Sequence, residues 1–348
     1  MLVLLILTIC SLTISNQSQR GELYGFLAYT QPQISHVSEL RLLNLSNFPI
    51  KDEFVLYSGH HMSIKFPDYS PDLNKIIIQV KISTPKTGNR YALNVMNLES
   101  MKMVELIEND EFIPHHPAWS PDGKQIALLI TPFSSGYNEK WNYYSQNHIY
   151  IYDLELQELK KVTTTNFIPN KPSWSLDKKH LYASREDRVI CQVNLKDGSI
   201  REITEGFLPS LSHDGKVLAF KTYKKEAAVV NINQIFYKII FPEKIIYTEE
   251  AFLKKARIKI RELSTEREII IENNPPSCSL PYDELIWAPG DDWLFYYGHK
   301  YGLNINKLVG YAYVRHISPE LEIGNSIKIF GPSYDLFGAD WIRGKPGI

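Results

Sequence analysis

The sequence is poor in cysteine, with three in 348 residues, at Cys10, Cys191 and Cys278. So few cannot form the disulfide framework of a chain this long, and no Cys/His spacing resembles a structural zinc site. A charge surplus is also missing: 38 Lys and Arg stand against 39 Asp and Glu, a formal net charge of −1. That excludes a non-specific nucleic-acid binder. No Gly-x-Ser-x-Gly nucleophile elbow occurs. Beyond the first residues there is no apolar run of the ~20 residues a bilayer-spanning helix needs, so no transmembrane helix is expected in the mature chain. What is present is 44% hydrophobic and 22% charged residues, with 21 Tyr, 15 Phe and 6 Trp beside 18 Gly and 20 Pro. That mixture suits a globular, all-β chain of short strands joined by tight turns.

Leu2 to Ile14 form an apolar run broken only by Thr8, Ser11 and Thr13, after which Asn16 to Arg20 turn polar. This pattern predicts a secretory signal over residues 1–15, with Thr13 and Ser15 at the −3 and −1 positions of a cut before Asn16. No Lys or Arg precedes the run, and an uncleaved anchor is the alternative. Ile9 is too bulky for lipid attachment at Cys10. After cleavage Cys191 and Cys278 remain; Cys191 sits in a strand-like run where a free thiol is normally buried. Residues 16–348 are then one domain, placed in the periplasm or outside the cell.

That domain repeats itself. Pro67 to Ile76, Pro117 to Ile126, Pro172 to Leu181, Pro209 to Leu218 and Ile286 to Leu294 each carry an anchor (Tyr69, Trp119, Trp174, Leu211, Trp287), a turn and an apolar run. In Ser120-Pro121-Asp122-Gly123, Pro presets φ, Asp suits the next position and Gly accepts the positive φ that closes a hairpin. The aspartates Asp72, Asp122, Asp177 and Asp214 are therefore turn formers. The following runs, such as Gln125–Ile130, read as second strands, with third strands at 148–154 and 188–195. Four antiparallel strands per repeat describe a propeller blade.

The repeat, clearest at Pro117 to Ala127, resembles the WD-like repeat of TolB-type β-propellers. The resemblance covers nearly all of the mature chain and implies a TolB-like β-propeller fold. It implies no particular activity, since this chain has no room for the α/β domain that precedes the propeller in TolB and none for the hydrolase domain of propeller-bearing dipeptidyl peptidases. Six anchors, including Trp341, predict six blades. The 76-residue step from Leu211 to Trp287 leaves room for a seventh, with Phe241 to Tyr247 as a degenerate motif, or for an insertion. Gly25–Tyr29 and Glu39–Leu45 read as second and third strands, and Phe337–Ile342 as a first strand. The two termini should close one blade together, which removes exposed edges.

First strands line the channel of a propeller, so residues just before each anchor are candidates for binding. These are Lys65, His115, His116, Asn170, Lys171, Asp283 and Glu284. They form a mixed-charge entrance, expected on the face opposite the Ser-Pro-Asp turns. The same face should carry aromatic loops, with Tyr137, Trp141, Tyr143 and Tyr144 in one and Tyr297, His299 and Tyr301 in another, offering platforms for a sugar or a protein. Two functions fit. One is an exported, monomeric, non-enzymatic propeller presenting one face to an envelope or extracellular protein, a peptide or a glycan, with no cofactor. The other follows from resemblance to seven-bladed oligogalacturonate lyases, which use a His-held divalent metal. In that reading His115 or His116 would be a ligand, with Lys65, Lys171, Asp283 or Glu284 moving protons.

Overall fold

The computed structural model describes residues 22–32, 37–49, 52–60, 62–84, 88–108, 111–132, 146–223, 256–273, 275, 284–301, 308–333 and 339–343. They form six four-stranded antiparallel sheets. Blade one joins the chain ends: β24 (Ala339–Ile342) pairs with β1 (Phe26–Pro32), which continues to β2 (Val37–Asn44) and β3 (Asp52–His60). Blade two is β4 (Met62–Tyr69), β5 (Lys75–Thr84), β6 (Gly88–Asn97) and β7 (Met103–Glu108). Blade three is β8 (Phe112–Trp119), β9 (Gln125–Pro132), β10 (His148–Asp153) and β11 (Glu158–Lys161). Blade four is β12 (Ser173–Trp174), β13 (His180–Ser184), β14 (Val189–Asn194) and β15 (Ile200–Glu205). Blade five is β16 (Phe207–Leu211), β17 (Val217–Tyr223), β18 (Ala256–Glu262) and β19 (Glu268–Asn273). Blade six is β20 (Glu284–Trp287), β21 (Trp293–Tyr301), β22 (Leu308–Ile317) and β23 (Ile323–Ser333).

The turn motif works mechanically, as its chemistry predicts. In the four turns that carry serine, Ser Oγ donates to the Asp two residues on, at 2.6–2.7 Å from Ser70, Ser120, Ser175 and Ser212, and accepts the N–H five residues on. The next position is left-handed, φ +70° at Gly123 and +74° at Gly215, where glycine carries no Cβ penalty. Hydrogen bonding to Ser70 and Ser175 holds Asp72 and Asp177 below the usual carboxylate range.

The anchors tie blade to blade. Trp119, Trp174 and Trp287 donate their indole N–H to the carbonyls of Asp68, Ala118 and Ser210 in the preceding blade, at 3.0–3.1 Å. Each ring hides roughly 150–250 Å² of surface, on the order of 4–6 kcal/mol of transfer energy. A second set of ties uses the residue before the anchor: Asp340 accepts from Tyr69 N, Asp68 from Trp119 N and Ser173 from Leu211 N, at 2.5–2.9 Å. Because Trp287 bonds directly to Ser210, blades five and six are neighbours, and β17 pairs directly with β18. Residues 224–255 are thus an insertion within blade five, and no seventh blade stands between the two; Phe241 to Tyr247 lie outside the described residues. Ring closure is reinforced by Tyr24, whose carbonyl accepts from Trp341 Nε1 at 2.9 Å and whose hydroxyl donates to Asp292 Oδ1 at 2.5 Å. Cys191 is fully buried as a free thiol, and burial pushes it up to about 11. No helix among the described residues is long and apolar enough to cross a membrane.

Candidate functional site

Three residues before the anchor, the first strand is distorted in blades two, three and five. The pairing register shifts there, and Phe66, His116 and Leu208 adopt φ of +52°, +52° and +56°. Such bulges re-aim side chains. The same repeat position is Lys171 in blade four and Glu284 in blade six.

His116, Lys171, Leu208 and Glu284, together with Asp68 and Asp340, form the floor of a central funnel of about 510 Å³. Its walls are the anchors Tyr69, Trp119, Trp174, Trp287 and Trp341, and its rim is made by Pro71, Pro121, Leu176, His213 and Pro289 from the Ser-Pro-Asp-type turns. The funnel therefore opens on the turn face, opposite to the side on which the entrance was expected. The lining runs from the residues three before each anchor, through the anchors, to the turns that follow them, so the recess faces the turn side.

The floor is electrostatically lopsided. Lys171 Nζ lies 2.5 Å from Asp68 Oδ1 and 3.8 Å from Asp340 Oδ1. Glu284 is 8% exposed, and its Oε2 accepts from Ala339 N at 2.7 Å. Three carboxylates thus share one ammonium. Burial opposes charge on Lys171, but Asp68, Asp340 and Glu284 outweigh it and hold the amine protonated. Burial, only partly offset by Lys171, pushes Asp68 up to about 7 and Glu284 up to about 8. Burial thus holds two of the floor's carboxyls well above the usual carboxylate range, and a second cation, Arg343, also lines the funnel.

The two histidines are occupied with each other. His115 is fully buried, with Nδ1 2.7 Å from His116 Nδ1 and Nε2 2.7 Å from Thr131 Oγ1, which in turn donates to Asn147 Oδ1. Burial pushes His115 down to about 3, so it is neutral. The His116 ring lies over Phe66 with centroids 3.8 Å apart. Of the two, only His116 lines the funnel. These donors do not fit a His-held divalent ion, and no group of three or more His, Cys, Asp or Glu among the described residues has the geometry for a metal.

Neither a family model nor a curated protein matches the sequence. Solved structures do match in shape. TolB from Acinetobacter baumannii superposes with a TM-score of 0.64 at 16% identity, covering 93% of this chain and 68% of that one. The chain has a TolB-like β-propeller fold. The putative TolB from Agrobacterium tumefaciens gives 0.54 at 12% identity, over 92% of this chain and 99% of its own. An oligogalacturonate lyase from Vibrio parahaemolyticus gives 0.50 at 14% identity, over 84% and 71%. At such identities the fold is what is shared.

Within this TolB-like propeller, His116, Lys171 and Glu284 come together as candidates, while the others separate. Lys65 is half-buried on β4 opposite Gln79, outside the funnel lining. Asn170 is buried and donates to Ser184 Oγ at 3.2 Å. Tyr297, expected on a loop, is instead a core residue of β21, with its ring packed against Gly310 of β22. His299 and Tyr301 also belong to β21, facing Gly310 and Leu308 in register, because that strand runs four residues beyond Tyr297. Asp283, Tyr137, Trp141, Tyr143 and Tyr144 lie outside the described residues. Asp68 and Asp340 were missed. Their signal was a carboxylate directly before the anchor in two repeats, where the others carry Ala118, Ser173, Ser210 and Ile286.

Proposed function

We propose that this chain is an exported, monomeric binding propeller whose turn-face funnel receives a cationic segment of an envelope or extracellular protein or peptide. One observation carries the reading: a funnel of about 510 Å³ with aromatic walls and a floor of three carboxylates sharing one ammonium. An added ammonium or guanidinium 4 Å from one ionised carboxylate gains about 4 kcal/mol at an effective dielectric of about 20, before desolvation. Aromatic walls favour such a cation further through their ring faces. Leu176, 60% exposed where three of the other turns carry proline, adds an apolar contact at the rim. A neutral glycan would leave the surplus negative charge unmatched. A polyanionic oligogalacturonate would meet a floor of its own sign.

Selection of displayed random peptides on the immobilised protein, eluted with free arginine amide, tests the reading. Enrichment of Arg- or Lys-bearing peptides that bind Glu284→Gln more weakly supports it. Sequences without basic residues, or binding indifferent to that substitution, contradict it. Export is tested by the N-terminus of the protein recovered from its host, which should be Asn16.

A further inference from the structure

A second recess lies on the same turn face, wedged between blades three and four, with a volume of about 510 Å³. It is bordered by the β10–β11 turn and by the turns that open β13 and follow β14. Its base is apolar, made by Ile151, Val162 and Leu195, and Leu156 stands at its edge 66% exposed. Four lysines surround it: Lys160, Lys178, Lys179 and Lys196.

Among the described residues, only one of these is committed to an ion pair. Lys178 Nζ holds Asp122 Oδ2 at 2.7 Å, an ion pair that joins blades three and four between this groove and the funnel. Among the described residues no carboxylate lies within ion-pairing distance of Lys160, Lys179 or Lys196. The carboxylates of the groove do not balance them. Asp153 offers one charge against three lysines and is held in place by Gln125 Nε2 of β9 and by Glu155 N and Leu156 N of its own turn, which donate to it at 3.0–3.1 Å. Glu158 is the other acidic lining residue. The groove thus combines an apolar base with a surplus of positive charge, opposite in sign to the funnel floor.

We infer that this inter-blade groove is a docking site for an extended acidic peptide segment bearing large aliphatic side chains. Carboxylates of the segment pair with Lys160, Lys179 and Lys196, while an aliphatic side chain covers Leu156 and Leu195. The wedge shape, recessed between two blades, suits a chain one residue wide. This site is separate from the funnel: its ligand has the opposite charge, and either can fail alone. A partner carrying a basic residue followed by an acidic stretch would engage both across the Asp122–Lys178 pair, gaining avidity without a new contact type.

The test is fluorescence anisotropy with a labelled pentapeptide alternating glutamate and leucine, against a control with lysine in place of glutamate. Variants are Lys179→Glu with Lys196→Glu, and separately Leu156→Ser; all three positions are exposed or half-buried, and unchanged melting confirms the fold. Saturable binding of the acidic peptide, weakened about tenfold or more by the charge reversal, reduced by Leu156→Ser and unaffected by Glu284→Gln, is the expected result. Equal binding of the lysine peptide, no saturable binding by the unaltered protein, or indifference to the charge reversal overturns the inference. Loss on Glu284→Gln alone would place the peptide in the funnel and likewise overturn it.

Discussion

Glu284→Gln isolates the cost of the unmatched floor. Glutamine keeps an oxygen to accept from Ala339 N, so the 2.7 Å contact is retained while the charge is removed. Burial raises the Glu284 pKa from 4.5 to about 8, and each unit corresponds to about 1.4 kcal/mol between the two protonation states. Because the folded-state value is the higher one, the folded protein holds a proton that the unfolded chain has released. Stability therefore falls as pH rises from about 4.5 to about 8, then levels. The shift sets a ceiling of about 5 kcal/mol on that loss. The variant escapes it. At pH 4.5 the two proteins should differ by less than ~1 kcal/mol, whereas at pH 9 the variant should gain at least ~2 kcal/mol, roughly 3–6 °C in melting temperature. Melting curves across pH 4.5–9 measure this directly. A variant no more stable than the parent at pH 9, or equally stabilised at both ends, would refute the reasoning.

Further outcomes follow from the same geometry. Affinity for a cationic peptide should rise with pH through about 7 to about 8, as Asp68 and Glu284 ionise, and titration calorimetry should show proton release. Trp174→Phe removes the 3.0 Å indole bond to Ala118 O across the blade interface, costing ~0.5–1.5 kcal/mol in urea unfolding. Gly198→Ala places a Cβ 2.5 Å from Val162 O at φ +73°, so a loss above ~1 kcal/mol is expected by the same assay. Deleting residues 339–348 removes β24 and bares the edge of β1, and size-exclusion chromatography should then show association rather than a single monomer peak.

Much of the fold was legible because each blade announces itself with an anchor and a turn whose chemistry is local. Trp119, Trp174 and Trp287 mark the blade contacts, and the strand-like ends at 25–29 and 337–342 implied the closure seen between β1 and β24. Blade number was open in sequence because the insertion at 224–255 looks like an extra repeat by length alone. It is decided by a contact between residues 77 positions apart, Trp287 to Ser210. His116, Lys171 and Glu284 were readable as one layer from their shared offset to the anchor. Asp68 and Asp340 were not picked out, although residues one and three before the anchor share a face on a regular strand. The first strands bulge at Phe66 and His116, and no sequence pattern marks a left-handed phenylalanine or histidine. Tyr297 misled because an aromatic near a strand end reads as a loop platform, while its burial depends on Gly310 across the sheet.

The central claim is that the turn-face funnel is where a partner binds. Photo-crosslinking in the cells that make the protein tests it most directly, with a benzoylphenylalanine placed in turn at Leu176 and His213 on the rim, and at Val104 on the outer strand β7, which is 50% exposed. The account predicts a defined crosslinked species from Leu176 and His213, diminished by Glu284→Gln, and none from Val104. Crosslinking from Val104 with none from the two rim positions would contradict it.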